Sequence, residues 1–197
     1  MRRLATLLLI VASLGVTSCS RPPASYPDEI AQRRADIDAF MRQSSDSPVP
    51  AEKRASFPAL LYYPIDEQYR VPAGLKVVRG QDILEMSTST GAPRRMRRIG
   101  TLAFTLKGQA LTLTAFAEAD DTRLARLFVP FGDLTNGGET YQAGRYLDLD
   151  LRASGVYDLD FNRAYHPYCV FNPTYECPIP PKENRLPIPI KAGEKLR

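Results

Sequence analysis

The side chains best suited to chemistry in this sequence are polar residues that stand near glycines in the second half of the chain. The candidates for ligand binding are Asp133, Thr135, Tyr141, Arg145, Asp160, Asn162, Glu183, Asn184 and Glu194. An arginine fork can bind a carboxylate or another anion through paired hydrogen bonds, and a buried carboxylate can act as an acid, a base or a metal ligand. Two interpretations stay open. Arg145 either pairs internally with Asp133, Asp160 or Glu194, or binds a small anionic ligand in a pocket.

The familiar catalytic motifs are absent. The sequence contains no serine elbow of the G-x-S-x-G kind, no H-E-x-x-H zinc motif, no P-loop and no dinucleotide fingerprint. Hydrolase and nucleotide-binding classes therefore lose their usual support, and we expect no cofactor.

The N-terminus has the pattern of an export signal. Arg2 and Arg3 precede an apolar run from Leu4 to about Val16, and small residues lead to Cys19. The run is shorter than the ~20 residues that a spanning helix needs. The pattern resembles bacterial lipoprotein signal peptides, which are cut before a cysteine that is then acylated. By the same resemblance, Ser20 in place of an aspartate favours the outer membrane, facing the periplasm.

The predicted cleavage divides the chain into a signal peptide (1–18), a short tether (19–24) and a single globular domain (25–197). The remaining 179 residues suit one domain with one core. Loss of two arginines lowers the formal net charge from +4 to +2. We expect no nucleic-acid partner at that charge, and a membrane-lipid partner through acylated Cys19.

Cys169 and Cys177 are the other cysteines. An exported pair in an oxidising compartment favours a disulfide between them, with metal ligation or two free buried thiols as alternatives. Together with His166 they supply ligand types that zinc accepts, but their spacing fits no standard zinc site, so no metal is expected.

One amphipathic helix is predicted before the strands. Ser25 and Asp28 have the spacing of a helix cap, and an apolar stripe runs from Ile30 to Met41, so the helix ends near Gln43. We expect this stripe to pack on its own domain; a helix lying on a membrane is the alternative.

A period of two then indicates strands. The predicted strands are 75–78, 83–87, 97–106, 111–116, 124–131, 140–149 and 156–161, with Lys107-Gly108-Gln109 as a tight hairpin. After Asn162 the chain is rich in proline, which predicts loops and a covering edge strand over 186–190.

Three motifs in the second half resemble the bacterial family named domain of unknown function 1684. They are FGDLTNGGETYQAGRYL at 131–147, DFNRAYHPYC at 160–169, and CPIPPKENRL with IKAGE at 177–186 and 190–194. The resemblance covers roughly residues 29–195 and implies no established activity. His166 stands where asparagine is expected in many members, which argues against a mechanism built on the only histidine.

These observations predict a mainly β domain, a barrel or a two-sheet sandwich, with one N-terminal amphipathic helix and a proline-rich C-terminal segment. The predicted function is that of a cell-envelope lipoprotein acting as a ligand-binding or structural module. The alternative is a periplasmic hydrolase or transferase that uses carboxylates and Arg145 in a glycine-rimmed pocket.

Overall fold

The structure is a computed structural model that describes residues 25–196. The predicted signal peptide, its cleavage site and Cys19 lie outside the described residues. Helix α1 (Tyr26–Gln43) begins with a capping box: the Asp28 N–H donates to Ser25 Oγ, and the Ser25 N–H donates to the Asp28 carboxylate. Such a cap stabilises a helix by about 1 kcal/mol. The predicted helix is confirmed, including its apolar stripe, of which Ile30 and Met41 are buried.

Six strands form one antiparallel sheet. They are β2 (Arg70–Met86), β3 (Arg94–Leu106), β4 (Gln109–Glu118), β5 (Arg126–Phe131), β6 (Arg145–Asp150) and β7 (Val156–Asp160). Their order across the sheet is β6-β5-β4-β3-β2-β7. The two edges of the sheet curl toward each other. Tyr146 of β6 and Tyr165, just after β7, exchange backbone hydrogen bonds of 2.9 and 3.1 Å. The sheet is thus a nearly closed barrel, which confirms the prediction of a mainly β fold.

Two local features of the sheet follow from the sequence. The hairpin between β3 and β4 turns on Lys107 and Gly108, both with positive φ, as a two-residue turn of matching twist requires. The two strands predicted at 75–78 and 83–87 are one strand, β2. Its pairing register with β3 shifts between Val77 and Asp82, and an irregularity of this kind bends a strand without ending it.

Small elements complete the fold. A short helix α2 (Ala51–Arg54) follows α1, and β1 (Leu61–Tyr62) pairs with β8 (Glu194–Lys195) near the C-terminus. Four 3-10 helices lie at Glu67–Tyr69, Phe161–Arg163, Tyr168–Val170 and Lys182–Asn184. None of the helices within residues 25–196 is long and apolar enough to cross a bilayer.

The proline-rich segment closes the core without forming the predicted edge strand. Leu186, Ile188 and Ile190 are buried in the main core cluster, while Pro187 and Pro189 face solvent. The alternation of buried and exposed residues is as expected. The ladder is missing because proline has no N–H to donate, and a single bridge from Arg185 to Gly132 ties the segment to the end of β5.

Candidate functional site

Arg145 lies at the centre of a buried cluster at the start of β6. Its side chain is fully buried and Nη2 donates to Asp133 Oδ2 at 3.0 Å and to the Ile190 carbonyl at 2.7 Å. Nη1 donates to the carbonyls of Ala192 at 2.5 Å and Glu194 at 3.0 Å. The guanidinium therefore ties the C-terminal segment to the barrel in place of a strand ladder. An anion, which is the second of the two interpretations that the sequence left open, would have to displace these bonds.

The loop around Asp133 is held by its own side chains. Asp133 Oδ1 accepts from the Thr135 N–H at 2.8 Å and from the Ile190 N–H at 3.1 Å. The hydroxyls of Thr135 and Thr140 lie 2.8 Å apart, and Asn136 donates to Thr140. Asp133, Thr135 and Arg145 are thus brought together in one buried network.

Four other candidates lie elsewhere. Asp160 and Asn162 bind the start of α1: both contact the Tyr26 hydroxyl, at 2.8 and 2.9 Å. Asn184 is fully buried and bonds to the backbone of Thr114 and Pro130, on β4 and β5. Glu183 is exposed and pairs with Arg98. None of these four contacts the Arg145 guanidinium.

Glu194 carries the most perturbed carboxyl in the described part of the chain. Only 4% of its side chain is exposed, and Oε2 accepts the His166 N–H at 2.7 Å. Burial raises the pKa of Glu194 from 4.5 to about 7, although the His166 N–H and the charge of Arg145 act in the opposite direction. Half of the Glu194 side chains are therefore charged near neutral pH.

His166 supports Glu194 as a neutral ring. Its Nε2 accepts the Tyr141 N–H at 3.3 Å, which places the ring proton on Nδ1, 3.5 Å from Glu194 Oε2. Burial, helped by the charge of Arg145, lowers the pKa of His166 to about 3. Tyr141 therefore belongs to this second cluster, where its hydroxyl also contacts Cys169 Sγ at 3.9 Å.

The backbone at Glu194 is fixed by its neighbour. Gly193 has a φ of +77°, and a Cβ there would lie 2.6 Å from the Ala164 carbonyl and 2.7 Å from the Phe161 carbonyl. Glycine is required at this close approach. β1 pairs with β8 on the other side, with Tyr62 opposite Glu194.

Glu194 and His166 line a cavity of about 440 Å³ that α1 covers from one side. Seven aromatic residues line it: Phe40, Phe128, Tyr146, Tyr165, Tyr168, Phe171 and Tyr175. We call this cavity the aromatic pocket. α1 contributes Arg33, Ile37, Phe40 and Met41, so the helix stripe packs on its own domain and also forms one wall.

The charged residues that line the aromatic pocket are four carboxylates, Glu194 among them, and two arginines. Arg94 and Glu118 form an ion pair at 2.9 Å. Asp148 accepts the Tyr165 hydroxyl at 2.9 Å, and the surrounding protein raises the pKa of Asp148, although water reaches its side chain. Arg33 and Glu176 complete the charged lining.

The family described as "Protein of unknown function (DUF1684)" matches residues 55–195. The chain belongs to this DUF1684 family. The solution NMR structure of an uncharacterized protein of Haloarcula marismortui is similar in fold: it is 37% identical, with a TM-score of 0.67, over 85% of this chain and 92% of that one. No curated protein matches the chain. The DUF1684 match begins after α1, which supplies one wall of the aromatic pocket.

The cysteines of the DUF1684 domain differ from the prediction. Cys169 and Cys177 are free thiols, not a disulfide. Cys177 is buried and accepts the Cys169 N–H at 3.1 Å through its sulfur. Burial raises the pKa of Cys177 to about 12, which holds it as a thiol. Within residues 25–196, no group of three or more His, Cys, Asp or Glu residues is placed to hold a metal ion.

Sequence reasoning named Glu194 but missed the aromatic pocket that it lines. Tyr146 and Asp148 both line the pocket, and they stand two apart on β6, where alternation places them on one face. That spacing is the sequence signal that could have placed Tyr146 and Asp148 at one site. Tyr165 and Tyr168 lie inside a motif of the DUF1684 family, but their types alone are typical of core residues.

Proposed function

We propose that the protein is a cell-envelope lipoprotein whose DUF1684 domain binds a small organic ligand in the aromatic pocket. The observation that carries the ligand-binding part is the pocket itself, a cavity of about 440 Å³ with aromatic walls and a buried carboxyl group. Ligand sites commonly have volumes of roughly 300–1,000 Å³, apolar linings and a few polar groups that orient the ligand.

The buried carboxyl of Glu194 supports binding over a purely structural role. A charge removed from water destabilises the folded state unless it is paired. Arg145 bonds to the backbone carbonyl of Glu194 and not to its carboxylate, so the carboxylate stays without a cationic partner among the described residues. A group that costs stability and lines a cavity is a typical component of a binding or catalytic site.

The pocket can be tested with a neutral fluorescent probe, N-phenylnaphthylamine, which brightens in apolar sites. We expect saturable binding to the purified domain in the micromolar range. Ile37→Trp on α1 should abolish it, because the larger ring would fill space that a half-buried Ile37 leaves open. Ala35→Trp, on the exposed face of the same helix, is the matched control. Failure of wild type to bind the probe would reject the pocket as a binding site.

The envelope location rests on the sequence around Cys19. Expressed in a Gram-negative host, the wild-type chain should incorporate an alkyne analogue of palmitate and sediment with membranes. Cys19→Ser should lose both properties, because the hydroxyl cannot form the thioether to lipid that the lipoprotein pattern implies. A wild-type protein that keeps Met1 and carries no acyl mass would reject this part of the proposal.

A periplasmic hydrolase or transferase is our second proposal. The observation that favours it is a carboxyl group with a pKa near neutrality beside His166, since a general acid or base works best when its pKa lies near the working pH. In this version the Glu194 carboxyl group transfers the proton. Turnover that Glu194→Gln abolishes while probe binding persists would distinguish it from simple binding.

A further inference from the structure

The rings of the aromatic pocket meet at steep angles. Phe128 and Tyr146 lie 4.7 Å apart at 73°, Tyr146 and Tyr165 lie 5.7 Å apart at 87°, and Tyr168 and Tyr175 lie 5.4 Å apart at 85°. In each pair the edge of one ring packs against the face of the other, and all of these rings line the same space. Aromatic faces carry negative charge density, and an ammonium group is attracted to a ring face when it lies within about 6 Å of the ring centroid.

The charged residues of the pocket also favour a positively charged ligand. Its lining contains four carboxylates, Glu118, Asp148, Glu176 and Glu194, against two arginines. Arg94 pairs with Glu118, so among the lining residues Arg33 is the remaining cation against three carboxylates. None of those three has a lysine or arginine within ion-pair distance among residues 25–196. The empty space is therefore surrounded by net negative charge.

Arg145 acts on this balance only from outside the pocket, where its charge lowers the pKa values of Glu194 and His166. It is not among the lining residues, and its fork is engaged by Asp133 and by three backbone carbonyls. The terminal nitrogens of Arg145, which could bind an anion, are therefore already engaged by protein groups.

We propose that the aromatic pocket selects an organic cation, an ammonium or quaternary ammonium group on an apolar body, with Asp148 and Glu194 as its counter-charges. This inference rests on the proposed function and names its ligand class. The ring faces would hold the alkyl groups around the nitrogen, and the carboxylates would supply the long-range attraction.

Three probes of nearly equal shape test the charge preference. They are the phenyltrimethylammonium cation, its neutral isostere tert-butylbenzene, and the anion benzenesulfonate. Measured by titration calorimetry at pH 8, the cation should bind about tenfold more tightly than the neutral isostere, and the anion more weakly than both.

Two variants assign the preference to named carboxylates. Asp148→Asn and Glu194→Gln should each reduce the preference for the cation by about threefold to tenfold, while affinity for the neutral isostere stays within about twofold. Both substitutions keep an oxygen that can accept the existing hydrogen bonds from Tyr165 and His166. Asp150→Asn is the matched control, because Asp150 lies on the same strand, is exposed and does not line the aromatic pocket.

Equal affinity for the cation and the neutral isostere would overturn the charge inference, and so would preference for the sulfonate. If N-phenylnaphthylamine still binds in either case, the proposed function stands and only the ligand class is wrong. If no probe binds, the failure lies with the pocket itself. A preference that persists in both carboxylate variants would also overturn the inference.

Discussion

Replacing Arg145 with methionine should destabilise the domain by about 4 kcal/mol or more, a large part of the roughly 5–15 kcal/mol that stabilises a typical domain. The substitution leaves the Asp133 carboxylate buried without its cation. It also removes the donors to three carbonyls of the C-terminal segment, so that segment loses its main connection to β6. Unsatisfied buried groups of this kind each cost free energy.

Urea unfolding followed by circular dichroism measures this effect. Arg126→Met is the control, because Arg126 pairs with Asp150 at 3.6 Å with both side chains mostly exposed; its loss should cost less than about 1 kcal/mol. If the unfolding free energy of Arg145→Met lies within about 1 kcal/mol of the wild-type value, Arg145 does not organise the C-terminal segment. A variant that is unfolded at zero urea agrees with the expectation, and Arg145→Lys then provides a folded intermediate case with two or three of the bonds.

The Arg145 cluster shows how far sequence reasoning extends at this site. The residue types left open whether Arg145 pairs with Asp133, Asp160 or Glu194 or binds an anion, and in the structure it pairs with Asp133. The choice depends on the path of the chain after Asn184, which local patterns do not determine. The carbonyls that bind Arg145 belong to a segment whose prolines prevent a ladder, so no strand periodicity could place them.

Local signals were sufficient for the separate elements. The cap at Ser25, the Lys107-Gly108 turn and the alternation in the second half of β3 each depend on neighbouring residues, and all three are observed. The aromatic pocket could not be predicted in the same way. Its walls come from α1, from strands β3 to β6, from the segment from Tyr165 to Pro178 and from Glu194 of β8, so the space depends on how distant parts of the chain pack together. The sequence pattern around an aromatic residue is the same whether its side chain packs in a core or lines a cavity.

Glu194→Gln should make the protein more stable at pH 8 by about 3 kcal/mol and change little at pH 4. The folded pKa of Glu194 is raised from 4.5 to about 7, so the folded state holds a proton that the unfolded state releases. The stability that this provides is fully present below pH 4.5 and is lost as the pH rises to about 7. Glutamine carries no charge at any pH, keeps the bond from the His166 N–H and avoids that loss.

The charged and titratable groups that act on Glu194 stay the same in both proteins. They are Arg33, Arg34 and Asp38 from α1, Tyr62 from β1, Arg145 from β6, and His166 and Tyr168 from the segment after β7. The lowered pKa of His166 costs stability as the pH falls below 6.5, because the unfolded ring takes up a proton first. That loss occurs in both proteins and cancels in their difference.

The difference in unfolding free energy between wild type and Glu194→Gln, measured from pH 4 to 8.5, therefore reports on Glu194. Glu139→Gln is the control because Glu139 is exposed and pairs with Lys191 at 3.3 Å. A difference that does not change with pH would contradict the raised pKa of Glu194. The cation probe gives the same carboxyl a second measurement. If Glu194→Gln is more stable at pH 8 and also binds phenyltrimethylammonium more weakly, then the same charge destabilises the empty protein and strengthens ligand binding. That combination is expected of a binding residue and not of one kept for folding.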